Sequence, residues 1–190
     1  MAPVSTRASM MWLMWTISLL LSSALHGCDA PGAAATVPVN GGKTNVTIAG
    51  KVFKLDVAAD DAVRYKGLGG RTSIDDDGGM IFTFPKVAWR EMGFVMRDCP
   101  IDIDILYLDS AGRVLMTYEM KAEPARDPAK DEGTPGDINN LKYEARLKQY
   151  SSVYVCAFAV ELKPGSIKKL GVKNGDKLTF DVDGLKQIAK

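Results

Sequence analysis

The stretch from residue 96 to residue 109, MRDCPIDIDILYLD, contains side chains that could perform acid–base chemistry. A carboxylic acid with a raised pKa beside an arginine can act as a general acid or base, so Asp104 with Arg97 is a candidate catalytic pair of a small hydrolase or lyase. A structural ion pair explains the same residues, because a buried carboxylate needs a partner and Arg71 or Arg97 could provide it. Both interpretations stay open at this point.

The only histidine of the chain, His26, lies in an N-terminal segment typical of an export signal. The apolar run Met11 to Leu21 is followed by Leu25 to Cys28, which resembles a bacterial lipobox whose cysteine is diacylated and becomes the new N-terminus. An ordinary secretory signal, cut near Ala33 to Ala35, is the alternative. Removal of the signal, residues 1–27, leaves no histidine, which excludes Ser-His-Asp triads, Cys-His dyads and His-ligated metal sites.

The charge of the mature chain indicates which partners to expect. Without Arg7 it carries 23 basic against 23 acidic side chains, and a neutral chain is a poor candidate for binding nucleic acid. We expect it to be held at the membrane by its lipid anchor, facing the periplasm of the bacterial cell envelope, and to bind an envelope protein or a small ligand. Asp29, directly after the acylated cysteine, favours the inner membrane. Nothing in the sequence indicates an oligomeric state.

Two cysteines, Cys99 and Cys156, belong to the folded part. In an oxidising compartment they could form a disulfide, or they could be two separate buried thiols. Because Cys99 precedes a proline and no histidine is available, neither a cysteine hydrolase nor a thioredoxin-type motif is indicated. Asp75 to Asp77 lack the ligand spacing of an EF-hand loop, so we predict a solvated turn there, no metal site and no cofactor.

We predict that residues 28–43 form a lipidated flexible tether and that residues 44–190 form a single folded domain. A charged, proline-containing insertion at about 121–150 interrupts an otherwise regular series of short elements. Strands are predicted at 45–49, 52–57, 80–84, 103–109, 113–119, 152–162 and 177–182, with short helices ending at Gly67 and within 140–148 and 164–170. The pattern predicts a mainly β (α+β) fold, a small barrel or sandwich with two or three short helices.

Several motifs follow one another in an order shared with a known family. They are Gly67-Leu68 with Arg71, Gly79 to Phe84, Phe94 with Met96, Asp104-Ile105, Val160 to Leu162, and Gly171-Val172 with Gly175-Asp176. Together they resemble domain of unknown function family 192, also called uncharacterised protein family 0127, over about residues 51–183. Its members are often exported or membrane-associated in bacteria, and no activity is established for the family. The resemblance therefore implies a fold and leaves the function open.

The chain departs from the family pattern just before the predicted strand at 103–109. The departures are Val95 for Trp, Arg97 for Lys, Asp98 for Asn, Cys99 for Thr and Asp102 for Pro. A ligand that relatives hold with those groups need not be held in the same way here. We predict a binding surface formed with the insertion by Trp89, Phe94, Met96, Arg97, Asp98 and Arg71. A structural envelope protein whose insertion contacts a partner is a further alternative.

Overall fold

The structure, a computed structural model, describes residues 39–131 and 141–190. The predicted signal at 1–27, the lipidation site Cys28 and most of the tether lie outside the described residues. The described part has eight strands in two sheets and four short helices, so the predicted mainly β, sandwich-like class is confirmed. None of the described helices has the length and apolar character needed to cross a bilayer.

The elements are short, and most connections between them are tight turns. The strands are β1 (Lys43–Ile48), β2 (Lys51–Ala58), β3 (Gly79–Thr83), β4 (Arg90–Phe94), β5 (Ile103–Leu108), β6 (Val114–Met120), β7 (Tyr150–Cys156) and β8 (Phe158–Leu162). The helices are α1 (Asp61–Lys66), α2 (Leu141–Arg146), α3 (Ser166–Leu170) and α4 (Val182–Ile188). A 3-10 turn, Lys86–Ala88, joins β3 to β4.

The larger sheet has six strands in the order β1-β2-β3-β8-β5-β6, and β4 pairs with β7 in a separate two-stranded sheet. All pairs are antiparallel except β2 with β3, whose connection contains α1. The larger sheet is not closed into a barrel, because the residues after α3 make only isolated bridges, Thr47 with Thr179 and Arg113 with Lys177. The predicted strand at 177–182 is therefore wrong, and α4 begins at Val182.

Local sequence signals explain where α1 begins and ends. The carboxylate of Asp60 accepts a hydrogen bond from the Val63 backbone N–H at 2.9 Å, which caps the first turn. The helix ends at Gly67, whose φ of 50° lies in the region that favours glycine. The predicted helix is thus confirmed, and Gly67, which follows it, lies against the sheet.

The predicted single strand at 152–162 is wrong, because the chain changes sheets in the middle of it. β7 pairs with β4, whereas β8 pairs with β3 and β5. At the junction, the Ala157 N–H donates to the Leu108 carbonyl and its own carbonyl accepts from the Phe84 N–H. No glycine or proline marks this junction, so an unbroken apolar run contains no signal for the change of sheet.

Both faces of the six-stranded sheet are covered by apolar side chains. The first face has a core that includes residues of α4 and of the segment after α3, and its members include Val46, Leu55, Ile81, Leu106, Val160, Leu178 and Leu185. The second face is covered by the β4–β7 sheet and the loop after β4, and its core includes Met80, Phe82, Ile105, Tyr107, Ala159, Met96 and Cys99. β8 is buried along its whole length, as expected for a central strand.

Candidate ligand-binding cleft

A cleft of about 820 Å³ opens on the second face, between α1 and β4. Its walls are mainly apolar and aromatic, and arginines stand among them. The lining includes Tyr65, Leu68, Phe82, Phe84, Met92, Phe94, Arg64, Arg90, Arg97, Cys99 and Glu161. A concave, mostly apolar site with a few polar groups is the usual form of a small-ligand site.

Glu161 forms the floor of the cleft. It lies on β8, paired with Met80 of β3 and Ile105 of β5, and it is only 5 % exposed. Its Oε2 atom has no hydrogen-bond partner among the described residues. Burial raises the pKa of this carboxyl to about 8, although the nearby charge of Arg71 acts in the opposite direction. The acid is therefore largely protonated at neutral pH.

Gly67 leaves room beside that carboxyl. A Cβ built on Gly67 would stand 3.7 Å from Glu161 Oε2 and 3.5 Å from Phe82 Cζ. The positive φ of this residue would also strain any other side chain. A Cβ at these distances would make ordinary van der Waals contacts, so the positive φ, and not a lack of space, favours glycine at the end of α1.

Phe94 forms the wall that β4 contributes. Its ring meets Phe82 edge-on at a centroid distance of 4.9 Å and Tyr107 at 5.6 Å, both common aromatic geometries. Its backbone is paired with Tyr150 of β7, which holds the strand in place. This wall is therefore supported from the core as well as from the small sheet.

Arg97 closes the cleft beside α1, and the insertion fixes its position. Its guanidinium lies 4.1 Å from the centroid of the Tyr65 ring and makes two 2.6 Å hydrogen bonds to the Glu144 carboxylate. These charge-assisted bonds raise the pKa of Arg97 despite its burial. Glu144 lies on α2, so the insertion is bound directly to the cleft.

The neighbouring residue, Asp98, is also tied to the insertion. Its backbone N–H donates to Tyr143 Oη at 2.8 Å, and its carboxylate lies 3.3 Å from Arg126. The Arg126 guanidinium in turn stacks on the Tyr143 ring at 3.9 Å. Asp98 adopts a φ of 49°, which is unusual for a residue other than glycine. Two of the altered positions of the family pattern, Arg97 and Asp98, thus contact the insertion.

Cys99 and Cys156 are free thiols in the structure, and both are buried. Of the two alternatives that the sequence left open, the structure therefore favours two separate buried thiols over a disulfide. Cys99 lines the cleft and its Sγ lies 3.4 Å from the Arg97 carbonyl. Burial, reinforced by the charges of Glu161 and Asp98, raises the pKa of Cys99 to about 12. At neutral pH it is therefore a thiol and not a nucleophilic thiolate.

The predicted pairing of Asp104 with an arginine is wrong. Ile103, Ile105 and Tyr107 of β5 face the second-face core, so Asp104, which alternates with them, lies on the first face. Its carboxylate accepts a 2.7 Å hydrogen bond from the Ile167 N–H at the start of α3. Burial raises its pKa, and backbone amides of that segment oppose the shift. Arg97 lies on the other face, and Arg71 pairs with Asp56 at 2.6 Å. Asp104 and Arg97 therefore cannot act together on one substrate.

The structure separates the residues of the predicted binding surface. Phe94 and Arg97 line the cleft, whereas Met96 is buried in the second-face core. Trp89 donates from Nε1 to the Phe84 carbonyl at 2.8 Å and so supports the turn before β4. Arg71 lines a second cavity of about 860 Å³ on the other side of the α1 loop.

In the described part of the insertion, Tyr143 and Leu147 do not form an exposed apolar helix face. Tyr143 and Leu147 are 1 % and 6 % exposed, so these two apolar side chains of the α2 region are buried inside the domain. An exposed face there would have favoured a protein partner. Among residues 39–131 and 141–190, no cluster of three or more Asp, Glu, Cys or His side chains is placed to hold a metal ion.

The sequence reasoning missed Glu161 as a functional candidate. It was noted only as part of the motif Val160 to Leu162. A signal was present, because Glu161 is the one charged residue within the most apolar strand of the chain. An acid at a fully buried strand position is costly, and such a residue is a candidate for a functional group.

The comparison with protein families agrees with these motifs. Residues 44–180, which include α1, the cleft and β8, match the model of family DUF192, described as "Uncharacterized ACR, COG1430". The chain belongs to this family. The DUF192 match spans both the floor of the cleft and the insertion. No curated protein matches the chain.

Solved structures share the fold of this DUF192 domain. A Sinorhizobium meliloti protein, described as a "putative transcription regulator", is 24 % identical with a TM-score of 0.56, covering 77 % of this chain and 98 % of its own. A Novosphingobium aromaticivorans "protein of unknown function" is 27 % identical with a TM-score of 0.54, covering 78 % of this chain and 94 % of its own. The first likeness concerns the fold alone.

Proposed function

We propose that this protein is an exported domain that binds a small organic ligand in the cleft between α1 and β4. One observation carries the proposal: Glu161, a buried carboxyl without a hydrogen-bond partner for Oε2 among the described residues, lies on the floor of an aromatic-walled cavity. Burial of such a group costs several kcal/mol unless something compensates it. A ligand that contacts the floor would supply that compensation.

The lining of the cleft favours binding over catalysis. Cys99 is held as a neutral thiol, and Asp104 is turned toward α3 on the opposite face of the sheet. Arg97 is engaged by Glu144 on two of its nitrogens. Apart from Glu161, the groups that could perform chemistry are thus occupied or separated, whereas the apolar walls offer the surface that a small molecule would bury.

The location of this binding domain rests on the sequence. The lipobox-like segment ending at Cys28 supports lipidation and a membrane tether facing the periplasm, and Asp29 supports retention at the inner membrane. Replacement of Cys28 by alanine is expected to release the protein into the soluble fraction of lysed cells. If the variant sediments with membranes as completely as the wild type, the lipid anchor is ruled out.

The cleft can be tested with the uncharged fluorescent probe N-phenyl-1-naphthylamine, whose aromatic body suits the walls. We expect saturable fluorescence enhancement with the wild-type protein. Met92→Trp fills the cleft and should weaken binding at least about tenfold, which corresponds to ~1.4 kcal/mol. Met116→Trp is the matched control, because Met116 is also half-buried but lies on β6 outside the cleft lining.

Circular dichroism should show that both tryptophan variants keep the wild-type fold. Equal affinity of the probe for the two variants would contradict binding in the cleft. A wild-type protein that produces no saturable signal would contradict the proposed function itself.

A further inference from the structure

Three arginines near the floor of the cleft, Arg64, Arg71 and Arg97, already have acidic partners, whereas the acid of the floor has none among the described residues. The ion pairs show this difference between the arginines and Glu161. The pairs are Arg64 with Asp61 at 2.7 Å, Arg71 with Asp56 at 2.6 Å and Arg97 with Glu144 at 2.6 Å. Among the described residues, Glu161 makes no salt bridge and its Oε2 accepts no hydrogen bond. Within residues 39–131 and 141–190, no positive or proton-donating group pairs with the Oε2 atom of the Glu161 carboxylate form.

The surroundings of Glu161 suit a cation. Phe82 and Phe94 line the cleft beside it, and aromatic rings attract a cation that has lost its water shell. The protein already places one cation in such a position, since the Arg97 guanidinium lies over the Tyr65 ring. Gly67 lies next to Oε2 and presents no side chain to it.

We propose that the ligand of the cleft is a small organic cation, a primary amine or guanidine on a short apolar body, whose charged group pairs with the Glu161 carboxylate. This inference rests on the proposed function and specifies its ligand class. On binding, the neutral acid loses its O–H proton to solvent and the resulting carboxylate accepts hydrogen bonds from the ligand. The apolar body of the ligand packs along Phe94, Phe84 and Met92.

The charged and titratable groups that face Glu161 come from several elements. They are Arg71 after α1, Cys99 after β4 and Tyr107 on β5, while the facing residues of β3, Met80 and Phe82, do not titrate. Burial raises the pKa of Cys99 to about 12, and it also raises the pKa of Tyr107 above its ordinary value. Neither group therefore changes charge near neutral pH. Glu161 is therefore the group that titrates here between pH 6 and pH 8.

Calorimetric titrations with three probes of similar shape test the inference: phenethylamine, 2-phenylethanol and 3-phenylpropionate. With the wild-type protein at pH 7 we expect the amine to bind at least about tenfold more tightly than the alcohol, and the acid more weakly than both. Titrations in phosphate and in Tris should reveal release of close to one proton with the amine and none with the alcohol. Affinity for the amine should rise nearly tenfold per pH unit from pH 6 to 7.5.

Glu161→Gln removes the charge and keeps the shape. In this variant we expect the amine to bind no better than the alcohol, without proton release, whereas the exposed-acid control Glu119→Gln should behave as the wild type. If the wild type binds the alcohol as tightly as the amine, or binds the amine without releasing a proton, the amine inference is wrong and the binding cleft stands. If none of the three probes binds, both the inference and the proposed function fail.

Discussion

Replacement of Glu161 by glutamine is expected to stabilise the protein, and to do so more strongly as the pH rises. The pKa of the buried acid is raised from 4.5 to about 8, so the folded state holds this proton more tightly than the unfolded state does. An acid with a raised pKa lowers stability as the pH rises from its unfolded to its folded pKa. The loss therefore develops between pH 4.5 and pH 8 and is complete above that range.

The size of the effect follows from the two pKa values. Each unit of difference corresponds to about 1.4 kcal/mol. Between pH 5 and pH 9 the free energy of unfolding of the wild type should therefore fall by roughly 4 kcal/mol relative to that of Glu161→Gln. The amide also retains a side chain of the same shape, so little packing is lost at the floor.

Urea denaturation of both proteins at pH 5, 7 and 9 measures this difference. Comparison of the two proteins at each pH cancels the titration of all groups that they share. Glu119→Gln, on the exposed side of β6, controls for the removal of an acid as such and should show no comparable trend. A difference between wild type and Glu161→Gln that stays constant from pH 5 to pH 9 would show that Glu161 is ionised in the folded state and would refute the reasoning.

Three further changes probe the supports of the cleft and the folding of its neighbours. A double-mutant cycle of Arg97→Gln and Glu144→Gln should give a coupling free energy of about 1–3 kcal/mol in urea denaturation, and additive effects would show that the bidentate pair does not hold the insertion. Asp104→Ala removes the acceptor at the start of α3 and should cost about 1 kcal/mol without changing phenethylamine affinity; a loss of affinity at unchanged stability would contradict its structural role. Val153→Gly relieves a φ of 62° and should raise the melting temperature, with a gain of about 1 kcal/mol, whereas Val155→Gly on the same strand should lower it.

Periodicity and turn chemistry were sufficient for much of the fold. The first hairpin, the end of α1 at Gly67, β5 and β6 were all predicted close to their final limits, because each has a local signal in the chain. β4 was not predicted, since Arg90 to Phe94 mixes exposed and half-buried residues around a glycine. α4 was not predicted, because the predicted strand at 177–182 included Val182 and Asp181 was not recognised as a helix cap.

The site was less predictable than the fold, because its residues meet only through long-range packing. Arg97 was identified as a site residue, but its partner Glu144 lies in the insertion, 47 residues further along the chain. Asp104 attracted attention as an acid within an apolar strand, and the same reasoning applied to Glu161 would have identified the floor. Asp104 shares the first face with Leu106, as the alternation of a strand requires. The wrong step was the choice of an arginine as its partner, since a backbone amide at the start of α3 donates to it.

The contact between Arg97 and Glu144 has a consequence for how this protein can diversify. The floor of the cleft belongs to central strands that also form the core, so most substitutions there endanger folding. The wall at Arg97 is held instead by a surface insertion, where changes of length and charge are tolerated more easily. Selection can therefore alter the shape and charge of the opening through the insertion while the acid beneath it is preserved. Under the proposed function, homologous domains with different insertions would bind different ligands above the same buried acid.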